Sequence, residues 1–405
     1  MMMLKMAFRN IFRHKRRTVF TGLSMFGGFV MAAIFIGWAD GTYNNIIDGF
    51  TRNNFGHIQI HAENYLDRPS LYKTIDDLSA VKDAFSGIDH IDAWAPRVYS
   101  SGLGSLEDKS SGIQITGIDP ARENKTTHFD RKIIRGEGFS PQPENKVLLG
   151  KGLAEVLNAE IGSEVVVISQ AADGSIANDL YQVNGILDLG NEASNRTAFY
   201  LHIQDAQELF VLSGRVHEVA LTVDDLDRVR PVNRTLDKRL EGTGLDPAPW
   251  QEFARSFYVA MKADMEGMWI MLVVIVLVVA IGVLNTVLMS VLERRREYGV
   301  LKAVGTKSHQ IVRLVLAEVN ILAVFSIILG IGIGLIVNWI LSQHGIQLSQ
   351  PISWGGMEIQ SMKAEINLRS FLIPAVTVLV SATIVSIVPA LKAARTEPAQ
   401  IMRMY

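Results

Sequence analysis

The run 268–281 (Met-Trp-Ile-Met-Leu-Val-Val-Ile-Val-Leu-Val-Val-Ala-Ile) is followed by no polar side chain until Asn285. A core helix of a water-soluble protein shows a polar face within that length. This segment has none, and it is long enough to cross a hydrocarbon core, which takes about 20 residues of helix. Three further stretches satisfy the same condition: 19–38, 316–341 and 371–391. The first follows a basic stretch, as a signal peptide would, but its apolar core exceeds a typical signal core. Gly37-Trp38-Ala39-Asp40 also makes a poor small-residue cleavage site, so an uncleaved anchor is expected.

Lysine and arginine near the span ends set the orientation. Lys5, Arg9, Arg13, Lys15, Arg16 and Arg17 precede the first span; Arg294, Arg295, Arg296, Lys302, Lys307 and Arg313 lie between the second and third; Lys392, Arg395 and Arg403 follow the fourth. Both termini and the middle loop are therefore expected in the cytoplasm of a bacterial inner-membrane protein. The expected division is 1–18, a cytoplasmic amphipathic helix; 19–39, the first span; 40–267, an extracytoplasmic domain; 268–292, the second span; 293–310, a cytoplasmic loop; 311–341, the third span; 342–370, an outer loop; 371–391, the fourth span; and 392–405, a cytoplasmic tail. The net charge of -2 then conceals a partition. The cytoplasmic pieces carry 15 basic and 3 acidic residues, a net +12, and 40–267 carries 22 basic and 35 acidic, a net -13. No nucleic-acid partner is implied, since the basic residues sit where the positive-inside rule puts them.

The segment 40–267 is too long and too polar for a loop. Alternation at 56–61, 111–117, 164–168, 181–187 and 218–223 predicts strands, and 151–157, 203–212 and 227–240 carry helical patterns. Strands interleaved with single helices predict two small α/β lobes. The flanks 42–53 and 251–267 lack strong breakers, so both adjoining spans are expected to continue outward as stalk helices. The fold class is thus a membrane protein with four transmembrane α-helices in a 1+3 arrangement and a large α/β domain between the first and second.

Catalytic chemistry is not visible. The chain has no cysteine, which excludes disulfides, thiolate metal sites and cysteine nucleophiles. The nearest approach to a phosphate-binding loop, around Gly305-Thr306-Lys307-Ser308, interrupts the required Gly-Lys-Ser/Thr order with Thr306. His57 and His61 share a face of a predicted strand but have no third ligand nearby, and are expected to be surface or cross-strand histidines. Asp224, Asp225 and Asp227 form an expected solvated turn. Polar groups inside the spans include Asn285 and Thr286 in the second and Glu318 and Asn320 in the third. Glu318 lies about one turn past Arg313, and pairing with a basic neighbour is expected over proton coupling. Gly330 and Gly334, four apart, have the small-xxx-small spacing that allows close helix packing. Four helices enclose little space, so a second membrane subunit is expected.

The most distinctive stretch is 293–318. Its first part predicts a short charged helix over 293–304, ended by Gly305 as a C-cap residue, with a second helix starting near Ser308 as N-cap. Val300, Leu301 and Ala303 among the charges suit a knob for a cytoplasmic partner. The pattern Glu293, Arg294, Glu297, Gly299, Leu301, Ala303 and Gly305, continuing through 310–313 and Glu318, resembles the permease family that includes FtsX, MacB, LolC and LolE. The tail 388–403, with Pro389, Ala393, Ala394, Arg395, Pro398 and Arg403, resembles that family's closing motif. The opening 7–18 and the segments 147–154 and 161–165 extend the resemblance along the chain.

The resemblance implies a non-catalytic membrane subunit of an ABC transporter that works by mechanotransmission. A separate ATPase dimer, binding ATP and magnesium, would push on the loop helix and so move the outer domain. No cofactor is implied for this chain itself. Glu297, Gly299, Leu301, Lys302, Ala303 and Gly305 are the coupling candidates by motif position. The size of the outer segment and the lack of an ATPase within the chain are most like the lipoprotein-releasing LolC/LolE branch. A second permease subunit, membrane lipid and a periplasmic or lipoprotein partner are implied with it. Two alternatives remain open: a signalling permease that controls a periplasmic partner, and a stand-alone secondary transporter.

Overall fold

The computed structural model describes residues 6–10, 15–354 and 357–396. The remainder of the N-terminal amphipathic segment and the tail from 397, with Pro398 and Arg403, lie outside the described residues. The chain divides into two compact units: 1–43 with 262–347 and 361–405, and 44–261 with 348–360.

The first unit contains the apolar helices. They run over Lys15–Phe50, Arg255–Glu293, Ser308–His344 and Arg369–Ala394, and each contains one of the expected spans. The first leads into a π-helical turn at Thr51–Phe55. A short helix at Trp250–Phe253 precedes the second, with a break at Ala254. These helices pack through apolar residues: Met25, Phe29 and Ala33 on the first; Val279, Val283 and Val287 on the second; Val315, Val319 and Ala323 on the third; Val378, Ala382 and Ala390 on the fourth. Several polar groups bond across helices. Ser326 Oγ donates to Gly22 O at 3.0 Å, Asn338 Nδ2 to Ala33 O at 3.2 Å, and Thr383 Oγ1 to Asn320 Oδ1 at 2.8 Å.

The second unit is a mixed α/β domain with a ten-stranded sheet. Its strands are β1 (Ile58–Ala62), β2 (Ile91–Leu106), β3 (Lys109–Ile118), β4 (Ile133–Gly136), β5 (Lys146–Gly150), β6 (Glu164–Gln170), β7 (Ile176–Leu187), β8 (Ala198–His202), β9 (Glu218–Val223) and β10 (Leu245–Pro249). The spatial order is β10-β1-β9-β2-β3-β8-β5-β7-β4, with β6 paired to both β2 and β7. The pairings β2-β3-β8-β5-β7-β6 therefore close a ring, while β9, β1 and β10 extend from the first half of β2. Two lobes were expected from the sequence; the structure joins them through one long strand.

Strand β2 explains how. Its first half pairs with β9, and its second half with β3 on one side and β6 on the other. Pro96 lies just before β3 joins at Arg97, where only one neighbour is present and a missing N–H is tolerated. At Gly102 a side chain would meet Ile168 O of β6 at 2.6 Å, so ring closure depends on glycine there. Prolines 247 and 249 fall on the edge strand β10. Asp119 caps the helix Pro120–Thr127 by accepting from Arg122 N at 3.1 Å, with Pro120 at the first helical position.

Candidate functional site

The loop between the second and third apolar helices folds as a separate short helix, Arg295–Ala303. The sequence predicts this helix to begin at 293. Instead, Glu293 still belongs to the long helix, and the break falls at Arg294 (φ -97°, ψ 15°). The reason lies in the contacts of Arg294. Its Nη1 donates to Glu318 Oε2 at 2.8 Å, its Nε donates to Glu297 Oε2 at 2.8 Å, and its guanidinium stands 5.3 Å from the Tyr298 ring centroid. Asn10 Nδ2 completes the cluster by donating to Glu318 Oε1 at 2.7 Å. Glu318 is therefore held by a basic neighbour, but that neighbour is Arg294, which is distant in sequence. Charge-assisted hydrogen bonds of this length are among the stronger polar contacts.

The other end of the short helix is fixed as firmly. Thr306 N donates to Leu301 O and Gly305 N to Lys302 O, both at 3.0 Å, the two bonds of a Schellman motif. Gly305 has φ +99°, a region in which a side chain is strained. Lys302 Nζ reaches Ala394 O at 2.8 Å and Thr396 O at 3.2 Å, and Ser308 Oγ reaches Ala394 O at 3.3 Å. These are carbonyls at the end of the last apolar helix, where a cation complements the helix dipole. Ser308 is the first residue of the third apolar helix and not its N-cap. Lys307 takes that place, its N–H donating to Gln310 Oε1 at 2.9 Å.

The coupling candidates thus separate by position. Tyr298 and Gly299 are buried, Leu301 packs against the helix core, Glu297 is paired with Arg294, and Lys302 is turned toward the fourth helix. Ala303 and Gly305 are exposed, and with them Val300 at 64% and Val304 at 82% exposure. Arg295, Arg296 and Lys307 are exposed on the same stretch. Val300 and Val304 thus form an exposed apolar pair, bordered by basic side chains, at the end of a short helix held at both ends. Val304 was missed by motif reasoning because it is not a motif position, although it lies within the predicted helix and four residues after Val300.

Among the other candidates, Gly330 faces Phe29, whose ring occupies the space a side chain would need, and Gly334 faces Phe371 and Ala33. The pair accommodates side chains of two different helices. Asn285 is exposed on the second apolar helix and makes no hydrogen bond among the described residues. His57 and His61, expected at a surface or across strands, are both buried. His57 Nδ1 accepts from Val223 N at 3.0 Å and its Nε2 lies 3.2 Å from Asp48 Oδ1. His61 bonds to His217 O at 3.0 Å and to Gln59 Oε1 at 3.1 Å. Their ring nitrogens are used in structural bonds, and no cluster of three metal-ligating side chains occurs among the described residues. In the acidic turn, Asp224 bonds to His90 at 2.9 Å and Asp225 accepts from Asp227 N.

One apolar helix, a large mixed α/β domain and then three apolar helices define a polytopic membrane protein of the 1+3 class. Residues 18–239 match the family model for the MacB-like periplasmic core domain, and 269–398 match that for the FtsX-like permease C-terminal region. The chain belongs to the MacB-like periplasmic core domain family and is an ABC transporter permease of the LolC/LolE/MacB type. It is 23% identical over 325 residues to the lipoprotein-releasing system transmembrane protein LolC of Neisseria meningitidis serogroup B, spanning 77% of this chain and 78% of that one. It is 24% identical over 285 residues to the macrolide export ATP-binding/permease protein MacB of Bdellovibrio bacteriovorus, covering 67% of this chain and 42% of that protein. The periplasmic region of MacB from Actinobacillus actinomycetemcomitans aligns with 49% of this chain and 91% of its own length, at 15% identity and a TM-score of 0.36.

Proposed function

We propose that this chain couples ATP hydrolysis by a separate ATPase dimer to movement of its periplasmic-type domain, releasing lipoprotein or another hydrophobic substrate from the outer leaflet of a bacterial inner membrane. Both termini and the short helix lie in the cytoplasm on this reading, as the charge partition supports. ATP and magnesium belong to the partner, and this chain contributes the lever. The observation that carries the reading is the exposed pair Val300 and Val304 on the clamped helix. A force applied there meets the third helix through Arg294 and Glu318, and the fourth through Lys302 and the Ala394 carbonyl. The relatedness to LolC supports the choice of lipoprotein as substrate class.

The exposed amide of Asn285 supports a second membrane subunit beside this one, because an unpaired amide facing lipid is costly and a neighbouring helix would satisfy it. The ATPase contact is tested with a cysteine at Ala303 and single cysteines across the groove of a co-expressed ABC ATPase. A specific crosslink is expected. Val300→Asp with Val304→Asp should abolish co-purification of the ATPase and its stimulation, while the membrane level stays unchanged. Retention of both by the double variant would exclude this surface as the dock.

A further inference from the structure

The α/β domain contains a cleft of about 560 Å³ with no assigned role. Its volume falls within the roughly 300–1,000 Å³ range of small-molecule sites. The charged side chains lining it are Arg97, Glu123 and Lys132, and they are not equivalent. Arg97 is buried and fully engaged: it donates to Glu123 at 2.6 and 3.1 Å and to Glu218 at 3.0 Å, and Tyr99 OH donates to Glu218 at 3.1 Å. Thr127 Oγ1 adds a bond to Glu123 at 2.7 Å. Within that network the charges of Arg97, Glu123 and Glu218 face one another and leave nothing for a ligand.

Lys132 differs. Its Nζ has one acceptor, Asn54 Oδ1 at 3.3 Å, and stands 5.5 Å from the Phe129 ring centroid. It forms no ion pair among the described residues. Burial pushes this ammonium down to about 8, against the pull of Glu123. An ammonium can donate three hydrogen bonds, and this half-buried one donates one among the described residues. Among the hydroxyls that line the same cleft without a hydrogen-bond partner among the described residues are those of Tyr65 and Tyr200. Burial pushes the Tyr200 hydroxyl up to about 12, so it remains a donor at neutral pH. The lining also has an apolar part. Phe50 and Phe55 line it with ring centroids 5.2 Å apart, and Phe55 is 41% exposed despite its size. Asn54 connects the two halves, since it precedes Phe55 and accepts from Lys132.

We propose that this cleft binds a small soluble anion with an apolar body, its carboxylate or phosphate ester held by Lys132 and the hydroxyls of Tyr65 and Tyr200, its body against Phe50 and Phe55. The anion restores the contacts that burial removes from the ammonium, and the aromatic wall excludes water around the ion pair. The site is independent of the ATPase-coupling reading, because every residue in it belongs to the α/β domain.

The test is calorimetric titration of the full chain in lipid nanodiscs with phenylacetate and with phenyl phosphate. Benzyl alcohol and inorganic phosphate serve as the uncharged and body-less comparisons. At least one of the two aromatic anions should bind saturably at one site per chain, and both comparison compounds should bind at least about tenfold more weakly. Lys132→Gln should weaken the anion by about tenfold or more, and Tyr200→Phe by several-fold, with unchanged melting temperature. Lys132→Arg should retain binding and hold it at about pH 9, where the native site loses its ammonium and weakens; Arg97 and Glu123, the other charged groups in the lining, stay ionised across that interval. If Lys132→Gln does not fold, Tyr200→Phe and the pH profile of Lys132→Arg decide. Absence of saturable binding by both anions, equal binding of benzyl alcohol or of inorganic phosphate, or a folded Lys132→Gln that binds as the native chain does would each overturn the proposal.

Discussion

The side chain on which the candidate site turns is Arg294. It sits between the second and third apolar helices, half in the break it creates, with one carboxylate from its own loop and another from the start of a membrane helix. Its own side chain and that of Glu318 retain only 5% and 12% exposure. Removing one member of such a pair leaves the other uncompensated, which costs more than the pair contributes relative to an apolar replacement. Arg294→Met is therefore expected to lower stability by about 3 kcal/mol, read as thermal unfolding of the full chain in detergent. Arg294→Met with Glu318→Met should recover most of that loss. If the double replacement were as unstable as the single one, the cost would lie in the helix break and not in the buried charge. Reading the sequence finds both residues in a motif but cannot pair them, because a basic neighbour one turn away, Arg313, is the nearer guess. Only the fold brings position 294 to position 318.

At the scale of elements, legibility depended on whether the signal was length or periodicity. The four apolar helices are plain because nothing else uses twenty apolar residues in a row. Strands such as β6 and β9 show alternation or an unbroken apolar face and can be predicted. Strand β2 cannot: Pro96, Gly102 and Gly104 read as breakers, and each is explained only by the strands beside it. The short helix was foreseeable from Gly305, whereas its start was hidden in a row of arginines with similar helix propensity. Helix packing has the same character. The spacing of Gly330 and Gly334 pointed to contact, yet the partner of Gly330 is an aromatic ring. Gly330→Val should force Phe29 from its place at a cost of about 1–3 kcal/mol, and Phe29→Leu in the same chain should return part of it. The measurement is the detergent unfolding midpoint of the single and double variants; equal midpoints for native and Gly330→Val would show that Phe29 does not fill that space.

For the whole molecule, the division into two units predicts that 44–261 folds when excised. Its core, with Ile58, Ile60, Val98, Ile115, Val147 and Leu148 all buried, lies within that stretch, so cooperative thermal unfolding of the fragment is expected in the absence of lipid or detergent. Acid should weaken it. Burial opposes ionisation of Glu123, but Arg97 and Thr127 overcome that and hold its carboxyl below the ordinary 4.5. A depressed carboxyl contributes stability that is present above its ordinary value and lost as pH falls through the folded one. The unfolding midpoint should therefore drop below about pH 4.5, and Glu123→Gln should flatten that dependence while lowering stability at neutral pH. A fragment without a cooperative transition would place part of its core outside 44–261.

Strand pairing also fixes an order of events during synthesis. Strand β1 emerges soon after the first apolar helix, yet its partners among the described residues are β9 and β10, at the far end of the domain. Ile58 must wait for Leu221 and Pro249 before either edge of its backbone is paired. Contacts so distant in sequence form slowly, because a long loop has to close before any pairing stabilises it. The domain cannot be completed until nearly all of it has been made, just ahead of the second apolar helix. A newly made chain thus carries an unpaired strand next to the membrane throughout translation of the domain, which is the interval in which it most needs protection from its neighbours.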